Sequence, residues 1–239
     1  MRQVPTPDLP PFGIVGSGRA ARHFHHYLTL LGLPVCTWSR RVAEPSPPQA
    51  LASCATVLLL IQDAAIEPFI EAWPTLRTRR LVHFSGSLVT PLAAGAHPLM
   101  TFGPDLYALD VYRAIPFVLD AGGAPFEELL PGLPNPAFAI PAGERPYYHA
   151  LCVMAGNFST ILWRKLFEEF ETRLNLPPSA AHPYLAQVAG NLMRDPSRAL
   201  TGPLARGDAQ AVAANLGALE GDPFHAVYSA FVKVHAQRQ

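Results

Sequence analysis

Phe12-Gly-Ile-Val-Gly-Ser-Gly-Arg-Ala-Ala21, continuing to Val35-Cys-Thr-Trp-Ser-Arg-Arg41, is the stretch whose reading decides the fold. The apolar run Phe12 to Val15 enters a glycine turn. A helical pattern then extends to Leu31, and Gly32-Leu33-Pro34 stops it before a second apolar run begins. Strand, turn, helix, strand is the order this pattern predicts.

The turn itself reads G-x-G-x-x-A at Gly16, Gly18 and Ala21. Gly16 allows a tight exit from the strand, Gly18 lets a pyrophosphate approach the backbone, and Ala21 lets the helix pack closely on the sheet. Free N–H groups over Ser17, Gly18, Arg19 and Ala20, at the positive end of the helix, then face the phosphates. Glycine clusters also mark ordinary turns, but here the strand before and the helix after supply the context that a dinucleotide site requires. The end of the second strand indicates which dinucleotide. An NAD site places a carboxylate there for the ribose 2′-hydroxyl, whereas an NADP site offers Arg to the 2′-phosphate. Ser39, Arg40 and Arg41 stand at this point, with no carboxylate before Glu44. Guanidinium forks and a hydroxyl suit a phosphate dianion, so NADP(H) is the expected cofactor.

The totals narrow the class. With 239 residues and equal numbers of basic and acidic side chains, 18 of each, the chain can bury a sizeable core and carries no global field to recruit nucleic acid or an anionic membrane. A small-molecule partner is expected. Hydrophobic residues make up 49% and charged residues 15%, yet no apolar run approaches the roughly 20 residues of a membrane helix. Met1-Arg-Gln-Val-Pro-Thr-Pro-Asp8 lacks the apolar stretch of a signal peptide, which makes the cytoplasm the expected location. Cys36, Cys54 and Cys152 are odd in number and widely spaced, as reduced thiols would be.

Beyond Arg41, strand-like runs at Thr56 to Ile61 and Arg80 to Phe84 alternate with a helical segment from Ala65 to Leu76. Such alternation builds βαβ units and a doubly wound, mainly parallel α/β sheet. Ligands in these sheets lie outside the carboxyl ends of the strands, so Ile61, Gln62 and Ser85 should border the same crevice as Gly16. Further short strands are expected around His97, at Ile115 to Leu119 and at Ala137 to Ile140. Pro116 implies an edge strand or a strand start. From Tyr147 onward the period becomes helical, which predicts a dinucleotide domain over residues 10–145 and an all-α domain over 146–239.

For chemistry, Ser85-Gly-Ser87 and His97-Pro-Leu99 hold the candidate reacting groups. An imidazole past the strand ends can exchange a proton near neutral pH, and the Ser87 hydroxyl can steer a substrate oxygen. Equally, His97 could serve only to bond a loop carbonyl. His149, Val153 and Asn157 follow at four-residue intervals and should share a helix face. Asn157 on that face could hold substrate or the nicotinamide carboxamide, while His149 reads as structural. His23, His25 and His26 are spaced so as to scatter around a helix, which fits solvent-facing or core-edge positions and no metal site. Arg113, Arg145 and Arg206 are possible partners for a substrate carboxylate.

Taken together, Gly16 to Ala21, Trp38-Ser-Arg40, His83-Phe-Ser-Gly86, His97-Pro-Leu-Met-Thr-Phe102, Ala155-Gly-Asn-Phe158 and Thr201-Gly-Pro-Leu-Ala-Arg-Gly-Asp208 resemble a bacterial family of Rossmann-like proteins with a C-terminal domain of unknown function, described as NADP-binding oxidoreductases. The resemblance implies a helical domain like those of 6-phosphogluconate dehydrogenase, pyrroline-5-carboxylate reductase and ketopantoate reductase. It also implies a homodimer built through that domain. Hydroxyacid dehydrogenases of the wider superfamily place a catalytic Lys four residues before the Asn that Asn157 resembles; Val153 stands there instead. Prephenate dehydrogenases use a Ser and a His that Ser87 and His97 resemble, which implies a proton-transfer role for His97. The expected function is therefore an NADP(H)-dependent oxidoreductase acting on a small carbonyl, imine or hydroxy compound. The alternative is an NADP(H)-binding sensor or partner-binding protein without turnover.

Overall fold

The first strand, β1 (Phe12–Val15), is buried along its whole length because neighbours flank it on both edges and core fills both faces. A computed structural model describes residues 9–41 and 44–237 of the chain. Residues 1–8, read above for a leader, lie outside the described residues. After β1 come α1 (Arg19–Leu30), β2 (Val35–Trp38), α2 (Pro47–Ala50), β3 (Thr56–Leu59), α3 (Ile66–Ala72), β4 (Arg80–His83) and β5 (Ala94–Pro98). Then follow α4 (Leu109–Arg113), β6 (Phe117–Asp120), α5 (Phe126–Leu129) and β7 (Ala137–Ile140).

These strands form one seven-stranded sheet in the order β2-β1-β3-β4-β5-β6-β7. Strands β1 to β5 run parallel, β6 turns antiparallel to β5, and β7 runs parallel to β6. The chain leaves β1 for β2 on one side and returns to β3 on the other. A topological switch point therefore lies between β1 and β3, and the fold is the expected Rossmann-like α/β sheet. Pro116 precedes β6, which pairs on both edges, so this proline marks a strand start.

Alternation along the strands divides the core in two. Ile14, Leu58, Val82 and Leu119 face a cluster with Phe24, Leu28 and Tyr112 of the helices, while Val15, Val57, Leu59 and Leu81 face Leu51, Cys54, Ile66 and Ile70. Register also levels the strand ends. Val15 pairs with Leu59, Leu59 with His83, and His83 with Gly95. Two residues further on, Ser17, Ile61, Ser85 and His97 reach the same end of the sheet.

Past β7 the chain is helical: α6 (Arg145–Val153), a π turn (Met154–Phe158), α7 (Ser159–Thr172), α8 (His182–Arg194), α9 (Pro203–Arg206), α10 (Ala209–Ala218) and α11 (Phe224–Ala236). By backbone proximity the chain divides into two units, Met1–Ile161 and Leu162–Gln239. Inside the second unit, Lys165 Nζ bonds both Glu169 (2.7 Å) and Asp222 (2.6 Å). Asp208 accepts from the Ala211 N–H at 3.0 Å and caps α10, and Asp222 accepts from the Phe224 N–H at 2.8 Å at the start of α11. Among the described residues no helix is long and apolar enough to cross a membrane.

Candidate functional site

Gly16 leaves β1 with φ +129°, and a Cβ placed there would lie 2.2 Å from the Leu60 carbonyl oxygen. Only glycine passes this point, where β1 and β3 diverge at the switch point. Gly18 is glycine for another reason. Its φ of −74° suits any residue, and an added Cβ would meet nothing within 4 Å. What its missing side chain leaves open is space above the turn. Gly18 is also the N-cap of α1, without a side-chain cap and without an acidic residue in the first turn. The N–H groups of that turn thus have no intrahelical acceptor, and the positive helix end is uncompensated. Ala21 is buried against the sheet, as close packing requires. A cradle that is open, donor-rich and electropositive fits the pyrophosphate of a dinucleotide.

Beside this cradle is a cavity of about 430 Å³, lined in part by Gly16, Ser17, Thr37, Trp38 and Ser39. The Trp38 indole N–H donates to the Pro45 carbonyl at 3.1 Å and ties down the segment that borders the cavity. Arg40 and Arg41 are exposed in the turn beyond β2 and do not line it. Arg22, His25 and His26 of α1 do. From sequence His25 and His26 read as solvent-facing or core-edge residues and Arg22 drew no reading, although a spacing of three and four residues after Arg22 is that of one helix face. His23 belongs elsewhere. It is buried, its Nε2–H donates to the Gly103 carbonyl (3.0 Å), and its Nδ1 pairs with the Tyr112 hydroxyl (2.8 Å), so it is a core residue and not a core-edge one.

At the level of Ser85, His97 meets residues from α6. Its Nδ1 is 2.8 Å from the Tyr148 hydroxyl, and its ring stands edge-on to that of His149 with centroids 5.7 Å apart. Burial above all, then the charges of His149 and Arg145, push the His97 pKa down to about 4, so the ring is neutral at physiological pH. Burial raises the Tyr148 pKa, as does the Cys152 thiol, and its hydroxyl keeps its proton. Gly86 makes room for His149: a Cβ on Gly86 would lie 2.2 Å from the imidazole Cδ2. His149, read from sequence as structural, is therefore packed into the cluster around His97. A helix period alone cannot reveal which strand turn a helix face meets.

Ser85 is buried, donates its hydroxyl to Asp63 Oδ2 at 2.5 Å and accepts the N–H groups of Ser87 and Leu88. Ser87 is half-buried on the same turn, and Ile61 and Gln62 follow the end of β3, the strand next to β4 in the sheet. Arg145 is fully buried, pairs with Asp120, and donates to the carbonyls of Ser85 (3.0 Å) and Val118 (3.3 Å). Such engagement removes it from the possible partners of a substrate carboxylate. Asn157 is exposed inside the π turn. The helix that carries His149 and Val153 passes into this π turn before it reaches Asn157.

Residues 120–234 match the family model described as Domain of unknown function (DUF2520). Over these residues the chain is similar to that family. Asp120, Arg145, Tyr148 and His149 belong to it, whereas Ser85, Gly86 and His97, which they contact, precede it. The matched region thus completes a cluster that the sheet begins. A protein of Bacteroides fragilis provisionally named an NADP oxidoreductase has the same fold, with a TM-score of 0.78, 19% identity, and coverage of 96% of this chain and 98% of that one. Protein TM1727 of Thermotoga maritima superposes with a TM-score of 0.68 at 24% identity, covering 95% and 97% of the two chains. A reductive aminase of Aspergillus terreus, in complex with NADPH and ethyl levulinate, gives 0.59 at 17% identity over 94% and 88%. No curated protein matches the chain in sequence. These likenesses establish the fold, a Rossmann-like sheet followed by a helical region.

Proposed function

We propose that this protein is an NADP(H)-dependent oxidoreductase acting on a small carbonyl, imine or hydroxy compound. One observation carries the reading: the open glycine cradle at the switch point and the His97 cluster lie at the same end of the sheet, as strand register requires. Structures that share the fold point the same way, since one of them holds NADPH with a keto ester. In this proposal Gly16, Ser17, Gly18, Arg19 and Ala20 hold the pyrophosphate, Ser39, Arg40 and Arg41 face the 2′-phosphate side, and Ile61, Gln62 and Ser85 border the cofactor through the strand ends. NADP(H), when bound, supplies or takes the hydride.

The chain's own part is proton exchange and orientation. With the Tyr148 hydroxyl donating to Nδ1, the neutral His97 ring carries its hydrogen on Nε2, the atom proposed to exchange a proton with substrate. Ser87 and Asn157 are proposed to position the substrate oxygen or nitrogen. The dinucleotide domain would span residues 10–145 and the helical domain 146–239, the latter forming a homodimer. Three free thiols suit work in the reducing cytoplasm.

Val153, where related dehydrogenases carry a Lys, supports a second reading, nucleotide binding without turnover. NADPH consumption against a panel of keto acids and cyclic imines separates the two. Turnover with at least one compound, lowered roughly a hundredfold or more in His97→Ala, is the expected result for loss of general acid–base catalysis. Tight NADPH binding with no compound reduced would leave only the second reading.

A further inference from the structure

We infer that the face of α1 bearing Arg22, His25 and His26 receives the 2′-phosphate of NADP(H), so that preference over NAD(H) is set on the helix and not only at the end of β2. The inference rests on the dinucleotide reading above and adds residues that the glycine motif does not include. Arg22, His25 and His26 line the cavity of about 430 Å³ that begins at Gly16 and Ser17 and continues past Thr37 to Ser39. That volume suits a nucleoside-sized group. Among the described residues lining it there is no Asp or Glu, and the only groups able to carry charge are these three.

Each of the three side chains is also uncommitted to other polar work. Among the described residues no hydrogen bond or ion pair engages the Arg22 guanidinium or the imidazole nitrogens of His25 and His26; His26 is held by its ring, edge-on to Tyr112 at 5.9 Å. A phosphate monoester offers three acceptor oxygens, which a guanidinium fork, imidazole N–H groups and the Ser39 hydroxyl can share. A ribose 2′-hydroxyl without phosphate would find no carboxylate here to accept its hydrogen bond, which disfavours NAD(H). Arg40 and Arg41, outside the cavity lining, can add long-range attraction but not its walls.

The test is isothermal titration of the full-length protein with 2′,5′-ADP and with ADP, which differ only by the 2′-phosphate, for wild type, Arg22→Gln, His25→Asn and Arg40→Gln. Wild type should prefer 2′,5′-ADP. Arg22→Gln should lose roughly tenfold to a hundredfold in affinity for 2′,5′-ADP while ADP binding is unchanged, as expected for removal of a charge-assisted hydrogen bond. His25→Asn should show a smaller loss of the same kind. Arg22 and His25 are exposed, so both variants should keep the wild-type melting temperature. If the preference for 2′,5′-ADP survives both substitutions, or falls only in Arg40→Gln, the inference is overturned and the dinucleotide reading stands. Wild type that binds ADP and 2′,5′-ADP equally overturns it too. Wild type that binds neither compound and no NADPH overturns the dinucleotide reading itself.

Discussion

At the scale of single residues, Gly16 and Gly18 look alike in sequence and differ in what they do. Gly16 carries a backbone conformation and a contact with Leu60 that a methyl group cannot share. Gly16→Ala should destabilise the fold by about 2–4 kcal/mol, from φ strain and overpacking, measured by denaturant unfolding. Gly18→Ala should unfold at the wild-type midpoint yet bind NADPH more weakly, because its Cβ would intrude only on the ligand's space; equal stability losses for the two would contradict this division. His83 illustrates a different cost. It is buried, and neither ring nitrogen has a hydrogen-bond partner among the described residues. Burial, then the Arg145 charge, lowers its pKa to about 4, like that of His97. The unfolded chain takes up these protons near pH 6.5, while the folded chain refuses them until about pH 4. Stability should therefore fall as pH drops from about 6.5 to about 4, by on the order of 3 kcal/mol from His83, and level off below. His83→Leu should flatten that slope and leave stability at pH 7 equal or higher by about 1 kcal/mol, since it removes an orphaned donor. An unchanged pH profile would assign the acid sensitivity to other groups.

At the scale of elements, α6 is the piece that brings helical side chains to the strand ends of the sheet. Arg145 at its first turn penetrates to Asp120 and to two backbone carbonyls, and Gly95 exists because a Cβ there would lie 2.3 Å from the guanidinium. Replacing Arg145 by Leu strands Asp120 and both carbonyls, and should cost about 3–5 kcal/mol in chemical unfolding. A loss below about 1 kcal/mol would mean that Asp120 is well enough solvated without it. The strands and α1 were legible in sequence, because period and glycine turns act over a few neighbours. The π turn at Met154–Phe158 was not. Its change of hydrogen-bond register leaves no local compositional mark. Likewise His149 could not be tied to Gly86, which lies 63 positions earlier in the chain.

At the scale of the whole molecule, the second unit lacks an interior of its own. From residue 162 to 237 only Ala181 is buried, while Met193 is 83% exposed and Phe231 51%. Helices with so much apolar surface left open need a cover, and a second copy of the chain is the proposed one. Light scattering after size exclusion should give twice the chain mass of 25.9 kDa. Phe231→Glu, placing a charge in that apolar surface, should shift the protein toward monomer and lower its melting temperature. A wild-type monomer at micromolar concentration would refute the dimer.

The sequence by itself determined the strand-turn-helix that opens the chain, the parallel character of the sheet, the passage to a helical pattern from Tyr147 onward and the polarity of the cradle, since each follows from contacts between residues close in the chain. Only the tertiary structure decided that Arg145 is an internal strut, that Tyr148 and His149 meet His97, and that Arg22, His25 and His26 open onto the same cavity as Ser39. Those facts depend on register between strands and on which helix face meets which turn. Packing of the whole chain settles them, and no local pattern encodes them.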